Sequence, residues 1–321
     1  MKYQSIDYVE KPVSRMIFGC AIPPMLEGKC VDTLLDAVYQ TGINTFDTAQ
    51  NYQKSEVSLG QWVEKRGLRE KVVLISKCCH PFSDGLDRVR PECIYDDLKA
   101  SLEQAKTDYF DIYLLHRDDL CAPVGPIIEA LNELHEKGKI GAFGVSNWTV
   151  ERIAKANAYA QEHGMLPFTI SSPNFGLARQ AEDPWGGGAG AVTISGPENA
   201  ESREWYKRNQ MPVFAYSSIG RGFFSGRVHS TEPEKVKEVL DEFAVKGYAC
   251  EDNFKRLARA EKLAKEKGCT VAQLAMAWVF HVGLNVFAIV GSQRAENIQS
   301  NVAALDVTLT QEEADWLDLR G

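Results

Sequence analysis

Short, continuously apolar runs alternate along this chain with longer stretches whose apolar residues recur at helical spacing. The apolar runs predict strands, because a strand buried on both faces lacks polar alternation. The predicted strands are 16–19, 41–46, 72–76, 110–115, 140–145, 168–170, 213–215 and 286–290. Helical segments follow them, so the pattern predicts an α/β fold of the closed (β/α)8 TIM barrel type. A doubly wound open sheet is the alternative.

The same alternation of predicted strands and helices indicates the domain organisation. We expect one domain over residues 1–321, because no linker-like segment divides the chain. Residues 1–14 are expected to form an N-terminal hairpin that plugs the barrel. The Gly-rich segment 176–196 breaks the pattern and is expected to be an insertion loop over the site. Its residues 186–191 match the G-x-G-x-x-A nucleotide turn but lack the flanking strand and helix, so we interpret them as a flexible flap.

Composition narrows the class of protein. The net charge is −8 and charged residues make up 25% of the chain, which argues against nucleic acid or a membrane surface as a partner. The first ten residues contain no apolar signal segment, and the eight cysteines contain no C-x-x-C pair. We therefore expect reduced thiols in the cytoplasm and no metal site. The apolar stretch 271–290 is interrupted by polar residues and predicts a helix and a strand, not a membrane span.

Candidate chemistry lies at the ends of three consecutive predicted strands, which deliver Asp47, Lys77 and His116, with Tyr52 in the first loop. A tyrosine phenol has a pKa near about 10 and is a poor acid unless a cation stabilises its phenolate. Lys77 can supply that cation, and Asp47 can hold the ammonium as an ion pair. His116 can donate a hydrogen bond to a substrate oxygen and orient it.

A positioned proton donor beside a polarised carbonyl is half of a carbonyl reduction, and a nicotinamide supplies the hydride for the other half. The residues therefore predict an oxidoreductase that acts on a carbonyl or alcohol group of a small molecule. Each residue alone has a structural explanation: Asp47 as a helix cap, Lys77 as a rim cation, His116 as a core histidine. Their joint occurrence in this order favours the catalytic interpretation.

Six motifs in order resemble the aldo-keto reductase family, and the resemblance covers nearly the whole chain. The matching residues are Gly42, Asp47, Ala49 and Tyr52; Ser76-Lys77; Leu114-Leu115-His116; Gly144-Val145-Ser146-Asn147; residues 215–222; and Gly291-Ser292 with Asn301. The resemblance implies that Tyr52 is the general acid, that Lys77 and Asp47 tune its pKa, and that His116 orients the substrate.

The resemblance also implies a nicotinamide cofactor. The implied cofactor-binding residues are Gly19, Cys20, Ser146, Asn147, Ser172, Tyr216, Ser217, Ile219, Gly220, Gly291, Ser292, Arg294, Asn297 and Asn301. Within this set, Ser146 and Asn147 would bind the carboxamide and Tyr216 would stack on the ring. The chain has Ser172 where the family usually has Gln, and Gly291 and Asn297 where many members have Lys and Arg. Arg294 remains to meet a 2′-phosphate, so NADP(H) is favoured and NAD(H) is the alternative.

The substrate rim is predicted to contain Trp148, Trp185, Arg117 and Asp118. We hypothesise that the acidic pair Asp118-Asp119 binds hydroxyl groups, which would favour a sugar-like carbonyl compound; a solvated loop is the alternative. Two other functions stay open at this point. One is a regulatory barrel that binds NADP(H) with little turnover, and the other is a Schiff-base aldolase that uses Lys77. The sequence indicates no oligomeric state.

Overall fold

A computed structural model describes residues 1–81, 88–185 and 190–320 of the chain. Its strands are β1 (Tyr3–Gln4), β2 (Val13–Ser14), β3 (Met16–Gly19), β4 (Thr45–Asp47), β5 (Val73–Cys78), β6 (Phe110–Leu115), β7 (Ile140–Ser146), β8 (Ile170–Ser172), β9 (Val213–Ala215) and β10 (Val286–Val290). The last eight form a closed barrel in the order β10-β3-β4-β5-β6-β7-β8-β9. The predicted (β/α)8 fold is therefore confirmed.

Helices follow the barrel strands. They are α1 (Pro23–Leu26), α2 (Asp32–Gln40), α3 (Ser55–Arg66), α4 (Pro91–Ala105), α5 (Val124–Glu136), α6 (Val150–Glu162), α7 (Ala200–Asn209), α8 (Val236–Val239), α9 (Glu242–Tyr248), α10 (Glu251–Lys267), α11 (Val271–His281), α12 (Ala295–Ala303) and α13 (Gln311–Leu317). Short 3-10 turns cover Pro197–Asn199, Pro233–Lys235 and Ala304–Asp306. In the parts of the chain that are described, no helix combines the length and apolar character needed to cross a bilayer.

Local sequence explains where several helices begin and how they pack. Thr270 caps α11 through a reciprocal hydrogen-bonded box with Gln273, and Thr149 accepts a hydrogen bond from the first turn of α6. Gly60 lies where α3 meets the end of α4: a Cβ atom there would be 2.3 Å from the Ala105 carbonyl oxygen. The absence of a side chain at residue 60 therefore permits this close helix approach.

Three strand boundaries differ from the prediction in ways that affect the candidate site. β4 is Thr45–Asp47, so Asp47 is the last residue of the strand and not the first after it. β5 continues through Lys77 to Cys78. β8 covers Ile170–Ser172, two residues later than predicted. In these strands polar side chains occupy paired positions near the carboxyl end. The run of apolar residues in the sequence therefore stops before the strand does.

The N-terminal segment forms an antiparallel pair, with Tyr3 opposite Ser14 and Gln4 opposite Val13. Between the two strands, Lys11 pairs with Asp111 at 2.6 Å near the amino end of β6. The same carboxylate pairs with Arg69 at 2.9 Å. This partly buried cluster ties the N-terminal segment to the end of β6 that is opposite to His116.

The described residues form two compact units. One contains residues 1–81, 88–172 and 291–298, and its core includes Phe46 packed on Trp62 at a ring distance of 5.1 Å. The other contains residues 173–185, 190–290 and 299–320, and its core includes Phe214 packed on Phe287 at 5.3 Å. The organisation of 1–321 as one domain stays a prediction.

Candidate active site

An ion pair at the carboxyl ends of β4 and β5 is the centre of the candidate site. Lys77 Nζ lies 2.7 Å from Asp47 Oδ1 and donates a hydrogen bond to the Thr48 carbonyl oxygen at 2.8 Å. The two side chains are only 3% and 5% exposed. Because β4, β5 and β6 are parallel neighbours, these residues and His116 emerge at the same edge of the sheet.

Tyr52 lies in the loop between β4 and α3, above this ion pair. Lys77 Nζ is 4.9 Å from the centre of the Tyr52 ring, and that ring meets the His116 ring edge-on at 5.4 Å. Burial raises the pKa of the Tyr52 phenol; the Lys77 cation acts in the opposite direction, and Asp47 adds to the increase. The Lys77 cation therefore acts on the phenol in the expected direction, but burial outweighs it, and the phenol stays protonated at neutral pH.

His116 directly follows β6 and is 7% exposed. Burial, and then the Lys77 cation, hold the pKa of its imidazole well below its usual value, so the ring is neutral. Its Nδ1 atom is buried and has no hydrogen-bond partner within the described ranges. The Asn147 side-chain amide donates to the His116 carbonyl oxygen at 3.2 Å and fixes the backbone of the strand end.

His80 belongs to this group of rings, although the sequence analysis did not select it. Its ring lies 5.0 Å from the His116 ring at 81°, and its Nδ1 is 3.0 Å from the Pro81 carbonyl oxygen. Burial lowers the pKa of His80, so its ring is neutral as well. The only sequence signal was its position three residues after Lys77, just beyond the end of β5.

Polar side chains at the ends of β7 and β8 lie together, as predicted. Ser146 and Ser172 are register partners, and Ser146 Oγ donates to the Ser172 carbonyl oxygen at 2.9 Å. Asn147 has a left-handed backbone with φ 61°, which turns its side chain back so that its Nδ2 donates to Ser146 Oγ at 3.0 Å. The three residues form a small, buried polar cluster beside His116.

Gly19, Cys20 and Gly291 pack closely. The Cys20 amide donates to the Asp47 carbonyl oxygen at 2.8 Å, and a Cβ atom at residue 291 would lie 3.2 Å from the Gly19 carbonyl oxygen. The Cys20 side chain is fully buried, and burial raises the pKa of its thiol well above the usual value. Cys20 therefore contributes its backbone and packing volume and not a reactive thiol.

Ser292 organises the start of α12. Its hydroxyl oxygen accepts hydrogen bonds from the Arg294 amide at 3.1 Å and from Asn297 Nδ2 at 3.0 Å. The Arg294 guanidinium is exposed and pairs with none of the described side chains. The helix start and this cation together favour binding of an anion.

In the second unit, Tyr216 follows β9 and its ring lies 5.8 Å from the Trp185 ring. The loop after it contains four positive φ angles: Ser217 54°, Gly220 62°, Arg221 51° and Gly222 93°. Turns of this kind direct several backbone amides to one side and form concave anion sites. Ile219 is part of the same loop. Asn301, which lies in α12, is buried.

Two predicted substrate contacts are corrected by the structure. Trp148 is 1% exposed, and its indole N–H donates to the Arg117 carbonyl oxygen at 3.1 Å. Asp118 is 1% exposed and pairs with Arg152 at 3.1 Å. Both residues thus hold the loop after β6 in place, and Asp118 cannot bind sugar hydroxyls as hypothesised. Residues 186–189 of the predicted flap lie outside the described residues.

Comparison with known proteins identifies the family. The sequence model of the "Aldo/keto reductase family" matches residues 24–319 of this chain. A probable aryl-alcohol dehydrogenase of Saccharomyces cerevisiae is 27% identical over 305 residues, which is 89% of this chain and 85% of the relative. Norsolorinic acid reductase B of Dothistroma septosporum is 28% identical over 308 residues, 89% of this chain and 70% of the relative. Norsolorinic acid reductase of Aspergillus flavus is 25% identical over 301 residues, again 89% and 70%.

The family match and the names of these relatives support an oxidoreductase that acts on carbonyl or alcohol groups with a nicotinamide cofactor. All six motifs, and all predicted site residues except Gly19 and Cys20, fall within the matched range. This chain belongs to the aldo/keto reductase family.

Proposed function

We propose that the protein is an NAD(P)H-dependent reductase of small carbonyl compounds in which Tyr52 is the general acid. One observation carries the proposal: a protonated phenol stands between a buried ammonium and a neutral imidazole. The Lys77 nitrogen is 4.9 Å from the Tyr52 ring centre, and the His116 ring is 5.4 Å away. No other tyrosine in the first unit is placed against both a buried lysine and a histidine among the described residues.

The proton transfer uses side chains of this chain alone. The Tyr52 O–H bond breaks as a new O–H bond forms at the substrate oxygen, which leaves a phenolate. The Lys77 ammonium stabilises that phenolate, and Asp47, at 2.7 Å, keeps the lysine charged in its buried position. A nicotinamide, when bound, supplies the hydride to the carbonyl carbon. Water then returns a proton to Tyr52.

His116 orients the carbonyl. A neutral imidazole carries one proton, and a buried N–H without an acceptor is costlier than a buried bare nitrogen with one lone pair. We therefore assign the proton to Nε2 and the lone pair to the buried Nδ1. Nε2–H is then a donor for the substrate oxygen beside the Tyr52 hydroxyl, and the two donors polarise the carbonyl together.

Several features fit a dinucleotide cofactor. Ser146 and Asn147 offer polar groups suited to a carboxamide, and the left-handed loop 217–222 offers amides suited to a pyrophosphate. The family resemblance assigns Tyr216 to the face of the nicotinamide ring. The exposed Arg294 at the start of α12 suits a 2′-phosphate, so we propose NADP(H) as the preferred cofactor, with NAD(H) as the weaker one.

We propose aromatic aldehydes and ketones as the substrate class, in place of the sugar-like compounds first expected. The His116 ring meets the Tyr52 ring edge-on at 5.4 Å and the His80 ring edge-on at 5.0 Å, so three aromatic rings are grouped at the candidate site and can contact an aromatic ligand. The names of the relatives point the same way, since one is an aryl-alcohol dehydrogenase. A cytoplasmic location is proposed as well, because all eight cysteines are free thiols.

Cofactor titration followed by an aldehyde screen tests this proposal. Quenching of tryptophan fluorescence by NADPH and NADH gives the two dissociation constants. Oxidation of NADPH is then followed at 340 nm with benzaldehyde, acetophenone and glucose. We expect saturable NADPH binding and turnover of benzaldehyde that exceeds turnover of glucose. Tight NADPH binding without turnover of any carbonyl compound would instead favour the regulatory barrel.

A further inference from the structure

Arg117 is a buried cation next to the proposed catalytic residues. It directly follows His116 in the chain and is 8% exposed. Its backbone is fixed, because its carbonyl oxygen accepts the hydrogen bond from the buried Trp148 indole at 3.1 Å. The side chain therefore starts from a rigid position at the carboxyl edge of β6.

The Arg117 guanidinium forms neither a hydrogen bond nor an ion pair with any part of the chain that the structure describes. Three buried carboxylates of this unit near the strand ends have bases of their own: Asp47 has Lys77 at 2.7 Å, Asp97 has Arg88 at 2.8 Å, and Asp118 has Arg152 at 3.1 Å. Glu56, also buried there, accepts a hydrogen bond from Ser76 Oγ. A buried charge without a counter-ion is unfavourable. Such a cation is available to pair with an anionic group of a ligand that reaches the candidate site.

The positive charge of Arg117 acts on the three rings of the proposed catalytic site. Burial is the main reason that the pKa of Tyr52 is raised and the pKa values of His80 and His116 are lowered, and the Arg117 cation pushes all three downward. The two imidazoles are neutral and Lys77 is neutralised by Asp47. Arg117 is thus the source of net positive charge among these six side chains.

We propose that Arg117 binds a carboxylate carried by the substrate, so that the preferred substrates are aromatic aldehydes or ketones with a carboxylate on the ring. This inference rests on the proposed function and names the substrate class more narrowly. A guanidinium matches a carboxylate with two parallel N–H donors, and low exposure strengthens that pairing. The anion would also anchor the ring so that its carbonyl meets Tyr52 and His116 in one orientation.

Matched substrates test the proposal. The values of kcat/KM are measured for 2-, 3- and 4-carboxybenzaldehyde and, as neutral counterparts of the same shape, for the three methyl formylbenzoates. We expect kcat/KM of one carboxylate isomer to exceed that of its ester by roughly 10- to 100-fold, the range of a charge-assisted hydrogen-bonded pair.

In Arg117→Gln that ratio should fall to about 1, and in Arg117→Lys to an intermediate value, since lysine keeps the charge without the planar fork. Arg208→Gln, an exposed arginine on α7, is the matched control and should keep the wild-type ratio.

A binding measurement separates this inference from the proposed function. Benzoate and benzamide have nearly the same shape, but only benzoate is charged. Their effect on the midpoint temperature of thermal unfolding can be measured without turnover. We expect benzoate to raise the midpoint of the wild-type protein more than benzamide does, and Arg117→Gln to lose that difference. Failure of every aldehyde to react overturns the proposed function, whereas equal stabilisation by benzoate and benzamide overturns the inference. A variant Arg117→Gln that keeps the carboxylate selectivity, or that weakens NADPH binding in its place, also overturns it.

Discussion

Lys77 Nζ lies 2.7 Å from Asp47 Oδ1 in a pair of side chains that are 3% and 5% exposed. This contact makes a buried ammonium tolerable at the point where the proposed reaction needs a cation. It also fixes the ammonium beneath the Tyr52 ring, at 4.9 Å from its centre. The ion pair therefore serves both the stability of the fold and the position of the acid.

Loss of the carboxylate should destabilise the protein strongly. In Asp47→Asn the Lys77 charge stays buried without a counter-ion, which costs about 3–5 kcal/mol of unfolding free energy. The control is Glu64→Gln, because Glu64 pairs with Lys106 at the same 2.7 Å but with both side chains more than half exposed. That change should cost at most about 1 kcal/mol. Urea denaturation measures both values, and equal losses would show that the buried pair has no special role.

The low pKa of His116 makes stability depend on pH. Because the folded pKa is well below the unfolded value of 6.5, falling pH protonates the unfolded chain first. The folded state therefore loses stability as the pH falls below about 6.5, with a slope of at most about 1.4 kcal/mol per pH unit for one proton. His116→Gln should flatten the dependence of the unfolding free energy between pH 7.5 and 5.5. His163→Gln, at an exposed position, should leave the curve as it is; if both variants run parallel to the wild type, His116 does not titrate as described.

Arg294 should distinguish the two nicotinamide cofactors. The side chain is exposed, so its attraction for a 2′-phosphate is screened by solvent. We expect Arg294→Gln to weaken NADPH binding about fivefold and to leave NADH binding nearly unchanged. Fluorescence titration at low and high salt measures both constants, with Arg208→Gln as the control. An equal loss for both cofactors, or no loss for either, contradicts the assignment of NADP(H) to this end of the site.

The sequence was sufficient to predict the barrel and to predict that Asp47, Lys77 and His116 lie together at the strand ends. Asp47, Lys77 and His116 could be found because each ends an apolar run, and parallel strands that end together bring such residues to one edge. The bounds of β8 could not be found, since Ser171 and Ser172 are paired positions without apolar character. Local pattern predicts which segments are strands better than where pairing stops.

The substrate rim was predicted less well, for a different reason. Asp118 is buried because Arg152 lies against it, 34 residues further along the chain, and no local pattern reveals that pairing. Trp148 is buried where its ring packs on Phe168 at 5.4 Å and its indole N–H bonds to the Arg117 carbonyl, and both are long-range contacts. His80 was overlooked because its place beside His116 depends on the left-handed backbone of Cys79, φ 58°, which a non-glycine residue seldom adopts.

The Tyr52 hydroxyl is the atom on which the proposed reaction depends. Tyr52→Phe removes it and keeps the ring that packs on His116. The most direct measurement is kcat/KM for benzaldehyde reduction, taken together with the dissociation constant of NADPH. The account predicts a loss of about 10²- to 10⁴-fold in kcat/KM, the usual contribution of a general acid, with NADPH affinity retained within about twofold. Tyr95→Phe, which removes a hydroxyl bonded to Glu133 on the helical surface, should react at the wild-type rate. Full activity in Tyr52→Phe would contradict the account.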